Sequence, residues 1–184
     1  MLLGLLTEKG KIFRVVDNFN RVDNAVVGSA ITGQLWAVIS GSWGIENNKA
    51  KLIVTSGSTD RIVIDAGISD CYIKVTFVTN MNDQRILFRY KNTTNELFVK
   101  IGPTTCAIYR RVSGTATLIG QISHACIPND VLSVRCSGNN ISFYVNEVLK
   151  IELSEEVNKT NTIHGFGGLN VSGLTFDDFS VEAI

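Results

Sequence analysis

Aromatic side chains in strand-like segments are the first candidates for binding chemistry in this sequence. A flat indole or phenol ring matches the apolar C–H face of a pyranose, so each could stack on a sugar ring. Trp36 and Trp43 are the largest side chains; we favour core packing for both, with a ligand platform as the alternative and Trp43 as the better candidate for it. Tyr72, Tyr109 and Tyr144 stand opposite to, or in ambiguous phase with, the apolar positions of their segments. We therefore take Trp43 and the three tyrosines as candidate sugar contacts.

Basic side chains cluster in the same middle segments, and Arg89 joins the candidate sugar contacts. Such a cluster could bind an acidic polymer, such as teichoic acid or an anionic glycan. The alternative is ordinary surface charge that prevents sheets from associating edge to edge. The basic residues are Lys74, Arg85, Arg89, Lys91, Lys100, Arg110, Arg111 and Arg135.

Residues that could catalyse a reaction or bind zinc are poorly spaced. His124 and His164 are the only histidines, and no nearby serine motif or metal spacing makes either a base or a ligand. The GFGG run at 165–168 lacks a following helix, so it is not a phosphate loop. No CxxC pair occurs, and we interpret the cysteines as reduced core residues, with a disulfide or a reactive thiol as alternatives. They are Cys71, Cys106, Cys126 and Cys136.

Length, charge and hydropathy limit the number of domains and the kinds of partner that we expect. The chain has 184 residues, which fits one domain, and 45% of them are hydrophobic. Its 17 basic and 17 acidic side chains give no net charge, so we do not expect nucleic acid as a partner. The first apolar stretch ends at Leu6 without a preceding basic residue, which predicts no signal peptide. No window approaches the roughly 20 apolar residues of a membrane helix, so we expect no membrane insertion.

The elements that position these residues are predicted to be strands. In Cys71–Phe77 and in Ile141–Val145, apolar and polar residues alternate, as in a strand with one buried face. Gly, Asn and Asp turns recur about every 8 to 12 residues, which indicates an antiparallel sandwich or barrel. The predicted strands lie near 11–17, 35–39, 43–46, 49–55, 60–66, 71–79, 84–91, 95–101, 105–112, 115–121, 131–137, 140–146, 148–152, 163–168 and 173–183.

Residues 17 to 50 resemble the opening of a concanavalin A-like, laminin G-like jelly-roll domain found in tailed-phage structural proteins. The hairpin within SGNNISFYVNEVLKIEL is similar to that family's, although Glu147 follows Asn146 where glycine is usual. The closing GLTFDDFSVEAI also resembles the family's last strand. The opening pattern is matched by Asp17, Phe19, Arg21, Gly33, Trp36, Gly41, Trp43, Gly44, Ile45, Asn48 and Ala50.

This resemblance implies an all-β, two-sheet antiparallel jelly-roll sandwich, the concanavalin A-like lectin/glucanase fold. Residues 11–184 form the single domain, after an N-terminal segment, 1–10, that is an attachment or a first strand. The first and last strands lie side by side, and sugar-binding members bind on the outer face of the concave sheet. Asp17 and Asp178 should then come close and could hold a structural calcium, although we otherwise expect no cofactor; the alternative is turn capping and an ion pair with Arg21.

The function that the resemblance implies is that of a non-enzymatic virion protein. It would be a tail, baseplate, receptor-binding or head-decoration subunit that binds host-surface glycan or docks to other virion proteins. The alternative is a stand-alone carbohydrate-binding lectin, and a glycan hydrolase ranks below both, because no strand carries the alternating acids of the fold's glucanases. Leu2, Leu3, Leu5 and Leu6 would form an apolar tip, so we expect a homo-oligomer or many copies on the particle.

Overall fold

The computed structural model describes residues 7–8, 11–79, 82–169 and 172–184. Over these residues the chain forms sixteen strands and no helix, so none of them lies in a helix able to span a membrane. The leucines of the expected apolar tip lie outside the described residues. The strands are β1 (Thr7–Glu8), β2 (Lys11–Asp17), β3 (Ala37–Ser40), β4 (Ser42–Glu46), β5 (Lys49–Val54), β6 (Thr59–Asp65), β7 (Cys71–Phe77), β8 (Gln84–Asn92), β9 (Asn95–Ile101), β10 (Thr105–Val112), β11 (Thr115–Ser123), β12 (Val131–Ser137), β13 (Asn140–Val145), β14 (Val148–Ser154), β15 (Ile163–Leu169) and β16 (Thr175–Ala183).

The strands form two antiparallel sheets, as predicted. A nine-stranded sheet runs in the order β1-β2-β16-β7-β12-β13-β14, with the β4–β5 hairpin attached to β16. A seven-stranded sheet runs in the order β11-β10-β9-β8-β15-β6-β3. The last strand pairs with β2, with Phe179 opposite Asp17, which confirms the expected neighbourhood of the two ends.

Alternating side chains build the core between the sheets. In β7 the residues Cys71, Ile73, Val75 and Phe77 are buried, whereas those between them are half-buried. This is the period of two that a strand requires when one of its faces is covered by a second sheet. The other face of each strand is left for contacts outside the core.

Aromatic rings occupy the centre of this core. Phe166 lies between the two tryptophans, with centroid distances of 5.1 Å to Trp36 and 5.7 Å to Trp43, and it stacks on Phe176 at 4.4 Å. Trp43 is only 1% exposed, and its indole Nε1 donates to the Ser40 carbonyl. Trp43 was predicted as a sugar contact, and the structure corrects this: the ring is enclosed by the core and has no face free for a ligand.

Two glycines of the GFGG run allow β15 to lie close to β6. An added Cβ at Gly165 would collide with the Ile62 carbonyl, and one at Gly167 would collide with the Asp60 carbonyl. Both glycines alternate with the inward-facing Phe166, so the outer face of β15 carries no side chain at these positions. The two glycines therefore leave a gap in the row of outer side chains between β6 and β8.

Replacement of Trp43 by alanine should destabilise the fold strongly. The change removes a fully buried ring from the aromatic centre, and we expect the free energy of unfolding to fall by about 3–5 kcal/mol. Denaturant unfolding measures this change. The control is Leu35→Ala, because Leu35 is 70% exposed and its loss should cost less than about 0.5 kcal/mol. Equal costs for the two variants would contradict the burial of Trp43.

Candidate functional site

Two of the predicted sugar contacts meet on the outer face of the nine-stranded sheet. Tyr72 of β7 pairs with Arg135 of β12, and Tyr144 of β13 pairs with Ser133 of the same strand. The two phenol rings therefore sit diagonally across β12, 5.7 Å apart and nearly perpendicular at 80°. They border a pocket of about 370 Å³, which we call the tyrosine pocket. It is lined by Tyr72, Arg135, Tyr144, Glu182, Ala183 and Ile184.

The tyrosine pocket offers both ring faces and polar groups. Lys74 Nζ lies 5.0 Å from the centroid of the Tyr72 ring and 3.3 Å from Glu182 Oε1. Partial burial raises the pKa of Tyr72, so its phenol keeps its proton at neutral pH and can donate and accept hydrogen bonds. Arg135 is exposed and supplies guanidinium donors at the rim. Phenol, guanidinium and carboxylate groups thus surround a space of the size that small ligands occupy.

Tyr109 lies apart from these residues, on the outer face of the seven-stranded sheet. Its ring stacks on Phe98 with a centroid distance of 5.3 Å and an angle of 11°. The Arg85 guanidinium covers Phe98 at 4.5 Å from its centroid. Phe98 belongs to a second hydrophobic cluster, separate from the main core, that also contains Leu87 and Tyr90. We call this surface the arginine face; its members are Arg61, Asp83, Arg85, Glu96, Phe98, Lys100, Tyr109 and Arg111.

Ion pairs fill the arginine face. Arg61 donates to both oxygens of Glu96, from Nε and Nη2, each at 2.8 Å. It reaches from β6 to β9 across the gap that the β15 glycines leave. Arg111 Nε approaches the same carboxylate at 3.3 Å, and Glu96 is fully buried. The carboxylate is therefore engaged by two guanidinium groups.

A second carboxylate at this face is engaged in the same way. Asp83 receives the Arg85 Nε at 2.6 Å and the Lys100 Nζ at 3.1 Å. Arg85 Nη1 is buried without a hydrogen-bond partner. In the described part of the seven-stranded sheet, no strand carries two carboxylates at alternate outward positions, which is the arrangement a glycosidase needs for its acid and nucleophile.

Arg89 is fully buried, which corrects its prediction as a sugar contact. A bulge interrupts β8 between Phe88 and Asn92, and Arg89 takes a positive φ of 47°. Its Nε donates to the Ser69 carbonyl and its Nη2 to Asp70. The side chain thus holds the loop before β7 against β8 and is not available to a ligand.

The backbone of Arg89 also fixes a buried histidine. The Arg89 N–H donates to His164 Nδ1 at 3.2 Å, and His164 Nε2 lies 3.0 Å from the Ile68 carbonyl, which it can reach as a donor. Complete burial lowers the pKa of His164 to about 4. Both ring nitrogens are occupied by backbone groups, so this histidine is a structural residue.

Calcium binding by Asp17 and Asp178 stays a prediction, and the structure shows which other partners Asp17 has. Asp17 is fully buried, and its oxygens accept hydrogen bonds from Arg21 Nη1 at 2.7 Å, Arg21 Nη2 at 3.0 Å, Trp36 Nε1 at 2.8 Å and the Phe19 N–H at 3.0 Å. Asp178 is exposed in the bulge of β16. The alternative, turn capping and an ion pair with Arg21, describes Asp17 correctly.

Arg61, Glu96 and Phe98 of the arginine face were not singled out from the sequence, whereas Tyr109 was a predicted sugar contact. Arg85, Arg111 and Arg135 belonged to the predicted basic cluster. A signal for the arginine face was present in β9, where Glu96, Phe98 and Lys100 alternate with the core residues Leu97 and Val99. The partners of these residues come from strands distant in sequence, so only the sheet order reveals the network.

Comparison with known structures gives the class of fold. The carbohydrate-binding module CBM66 from Bacillus subtilis matches with a TM-score of 0.59 and 19% identity over 80% of this chain and 91% of its own. A beta-glucanase from Bacillus licheniformis matches with a TM-score of 0.60 and 10% identity over 97% of this chain and 100% of its own. A Bacillus subtilis protein of galectin-like fold matches with a TM-score of 0.61 and 11% identity over 79% and 88%.

The chain therefore has the all-β, concanavalin A-like jelly-roll fold. No protein-family model matches the sequence, and a search of curated proteins finds no relative. At these identities the likeness concerns the fold, which hosts binding modules and enzymes alike.

The buried His164 should make the fold sensitive to acid. Its pKa is about 4 in the folded protein against 6.5 for a free histidine, so between these pH values only the unfolded chain is protonated. The free energy of unfolding should then fall by about 3 kcal/mol as the pH drops through this window. Urea unfolding at a series of pH values measures the slope. In His164→Asn the contribution should vanish, and an unchanged slope would contradict the assignment.

Proposed function

We propose that this protein binds carbohydrate without transforming it, and that the tyrosine pocket receives a sugar ring. The observation that carries the proposal is the meeting of Tyr72 and Tyr144, edge to face, beside a pocket of about 370 Å³. A pyranose has apolar C–H faces and a rim of hydroxyl groups. The pocket matches both, since it combines aromatic surface with phenol, guanidinium and carboxylate groups.

The charges around the tyrosine pocket favour an acidic or neutral glycan. Arg135 is exposed at the rim, and Lys74 stands beside Tyr72 while paired to Glu182. Among the residues that the structure describes, Arg135 has no carboxylate partner, so its guanidinium can bind a carboxylate, sulfate or phosphate of the sugar. Arginine suits such groups because its planar fork can donate two parallel hydrogen bonds.

The ion pairs of the two carboxylates described on the arginine face support binding over hydrolysis. On the arginine face, Glu96 and Asp83 are each held by two cations. A retaining or inverting glycosidase needs two carboxyl groups free to face the scissile bond. Among the neighbours in fold are a carbohydrate-binding module and a beta-glucanase, so carbohydrate is the ligand class that both suggest.

We further propose that the protein acts on a phage particle, as a structural or adhesion subunit on the tail, baseplate or head surface. The support is the residue pattern of 17–50, which resembles jelly-roll domains of tailed-phage structural proteins. A particle presents many copies, so a weak single site suffices for firm attachment to a glycan-bearing host. Its partners would be other virion proteins, copies of itself and the host glycan, with the virion as its location.

The test of the glycan site is a pair of tyrosine variants. A glycan array identifies ligands, and calorimetry with the best oligosaccharide should show Tyr144→Ala binding at least about fivefold more weakly, because a stacked ring contributes on the order of 1 kcal/mol or more. The matched control is Tyr109→Ala, which changes the arginine face and should retain affinity. Circular dichroism confirms that both variants fold. Stronger loss in the control, or release of reducing sugar by the wild type, would contradict the proposal.

The virion setting has its own test. Particles purified from a phage whose genome encodes this chain should contain it at a copy number that matches a symmetry of the tail or head. Quantitative mass spectrometry of the particles measures the copy number. Its absence from purified particles would overturn the virion setting and leave the stand-alone lectin, which the tyrosine variants test independently.

A further inference from the structure

Metal-ligating side chains gather at the end of β11, outside both outer faces. His124 and Cys126 follow this strand directly, and Asp130 immediately precedes β12. One ligand atom from each of the three lies within 4.8 Å of the others. Cys106, at the start of β10, places its Sγ 3.5 Å from that of Cys126. A histidine, a carboxylate and two thiols therefore share one corner of the sandwich.

The sheet brings these distant residues together. In the β10–β11 pair, Cys106 lies opposite Ile122, and the His124 N–H donates to the Thr104 carbonyl just beyond the ladder. His124 and Cys126 are two residues apart, the spacing at which an extended chain directs side chains to one side. The turn before β12 then returns Asp130 to the same place.

Asp130 is held by donors from two other segments. Its Oδ2 accepts from the Ile127 N–H at 2.8 Å, and its Oδ1 accepts from Asn146 Nδ2 at 2.8 Å. Such hydrogen bonds fix the direction of a carboxylate, as the outer shell of a metal site does. Asp130 is 7% exposed and Cys126 is 1% exposed, whereas His124 is half-buried and leaves a route from solvent.

We propose that this corner is a zinc site, with His124, Cys126 and Asp130 as ligands and Cys106 as the fourth. Zinc takes nitrogen, sulfur and oxygen ligands in a tetrahedron at about 2.0–2.3 Å, which sets ligand atoms about 3.3–3.8 Å apart. The separation of the two sulfurs already falls in this range. The ligand atoms of His124, Cys126 and Asp130 lie within 4.8 Å of one another and need to close by on the order of 1 Å. Binding releases the two thiol protons to solvent and involves no redox change.

Such a zinc ion would fasten the start of β10 and the end of β11 to the turn that leads into β12. Strands β10 and β11 belong to the seven-stranded sheet and β12 belongs to the nine-stranded sheet, so the metal would crosslink the two sheets. The role is structural, because four protein ligands leave no open position on the metal. It is independent of the proposed glycan binding.

The test uses the full chain, reduced with a phosphine and stripped with a chelator. The probes are Zn²⁺ and Co²⁺, since tetrahedral cobalt bound to thiolate shows intense visible bands and a thiolate-to-metal charge-transfer band. The wild type should bind one equivalent of Co²⁺ with both features, and Zn²⁺ should displace it and raise the melting temperature. Two variants, Cys126→Ala and His124→Gln, should bind at least about tenfold more weakly.

The control for this test is Cys136→Ala. Cys136 is a buried free cysteine of β12 that lies opposite Cys71 of β7 in the strand register. Its replacement should leave the cobalt spectrum unchanged. If Cys126→Ala fails to fold, the half-buried His124→Gln still decides the matter. No stoichiometric binding by the reduced chain, or equal affinity in His124→Gln, would overturn the site. A Cys106–Cys126 disulfide that is the only change seen on exposure to metal and air would also overturn it.

Discussion

Each strand of this protein has two faces, and the stacking of the sheets requires that one of them be buried. This constraint decides where any chemistry can take place. In β7 the core takes Ile73 and Val75, which leaves Tyr72 and Lys74 for the outer face. In β9 it takes Leu97 and Val99, which leaves Glu96 and Phe98. The tyrosine pocket and the arginine face both consist of residues whose side chains point away from the core.

The same constraint explains why the strands could be predicted from the sequence. Alternation and turn residues are local signals, and every predicted strand is present with ends within two residues of those expected. The strand that was missed, β1, has two residues, too few for a period to be visible. The fold class and the pairing of the first and last strands came from a resemblance of residues at both ends of the chain.

Two site residues were predicted wrongly where the period is interrupted. Arg89 lies in the β8 bulge with a positive φ, so its side chain leaves the outward series and turns into the structure. Trp43 follows a register shift in β4 and lies in the aromatic centre with Phe166. A bulge depends on the partner strand, and the sequence of one strand does not reveal it.

The sequence also could not predict which strands lie side by side. Tyr72 and Tyr144 were predicted to face outward, and their contact depends on β12 lying between β7 and β13. Tyr109 met the same criterion, yet it lies on the opposite sheet. The corner formed by His124, Cys126 and Asp130 was missed for the same reason, because no short motif spans a site assembled from a strand end and a turn.

We propose that sugar binds in the tyrosine pocket and not on the ion-paired arginine face. NMR titration of isotope-labelled protein with an oligosaccharide ligand distinguishes the two surfaces. We expect shifts of backbone amides in β7, β12, β13 and the end of β16, together with the ring signals of Tyr72 and Tyr144. Shifts confined to β8, β9 and β10, around Phe98 and Tyr109, would contradict it.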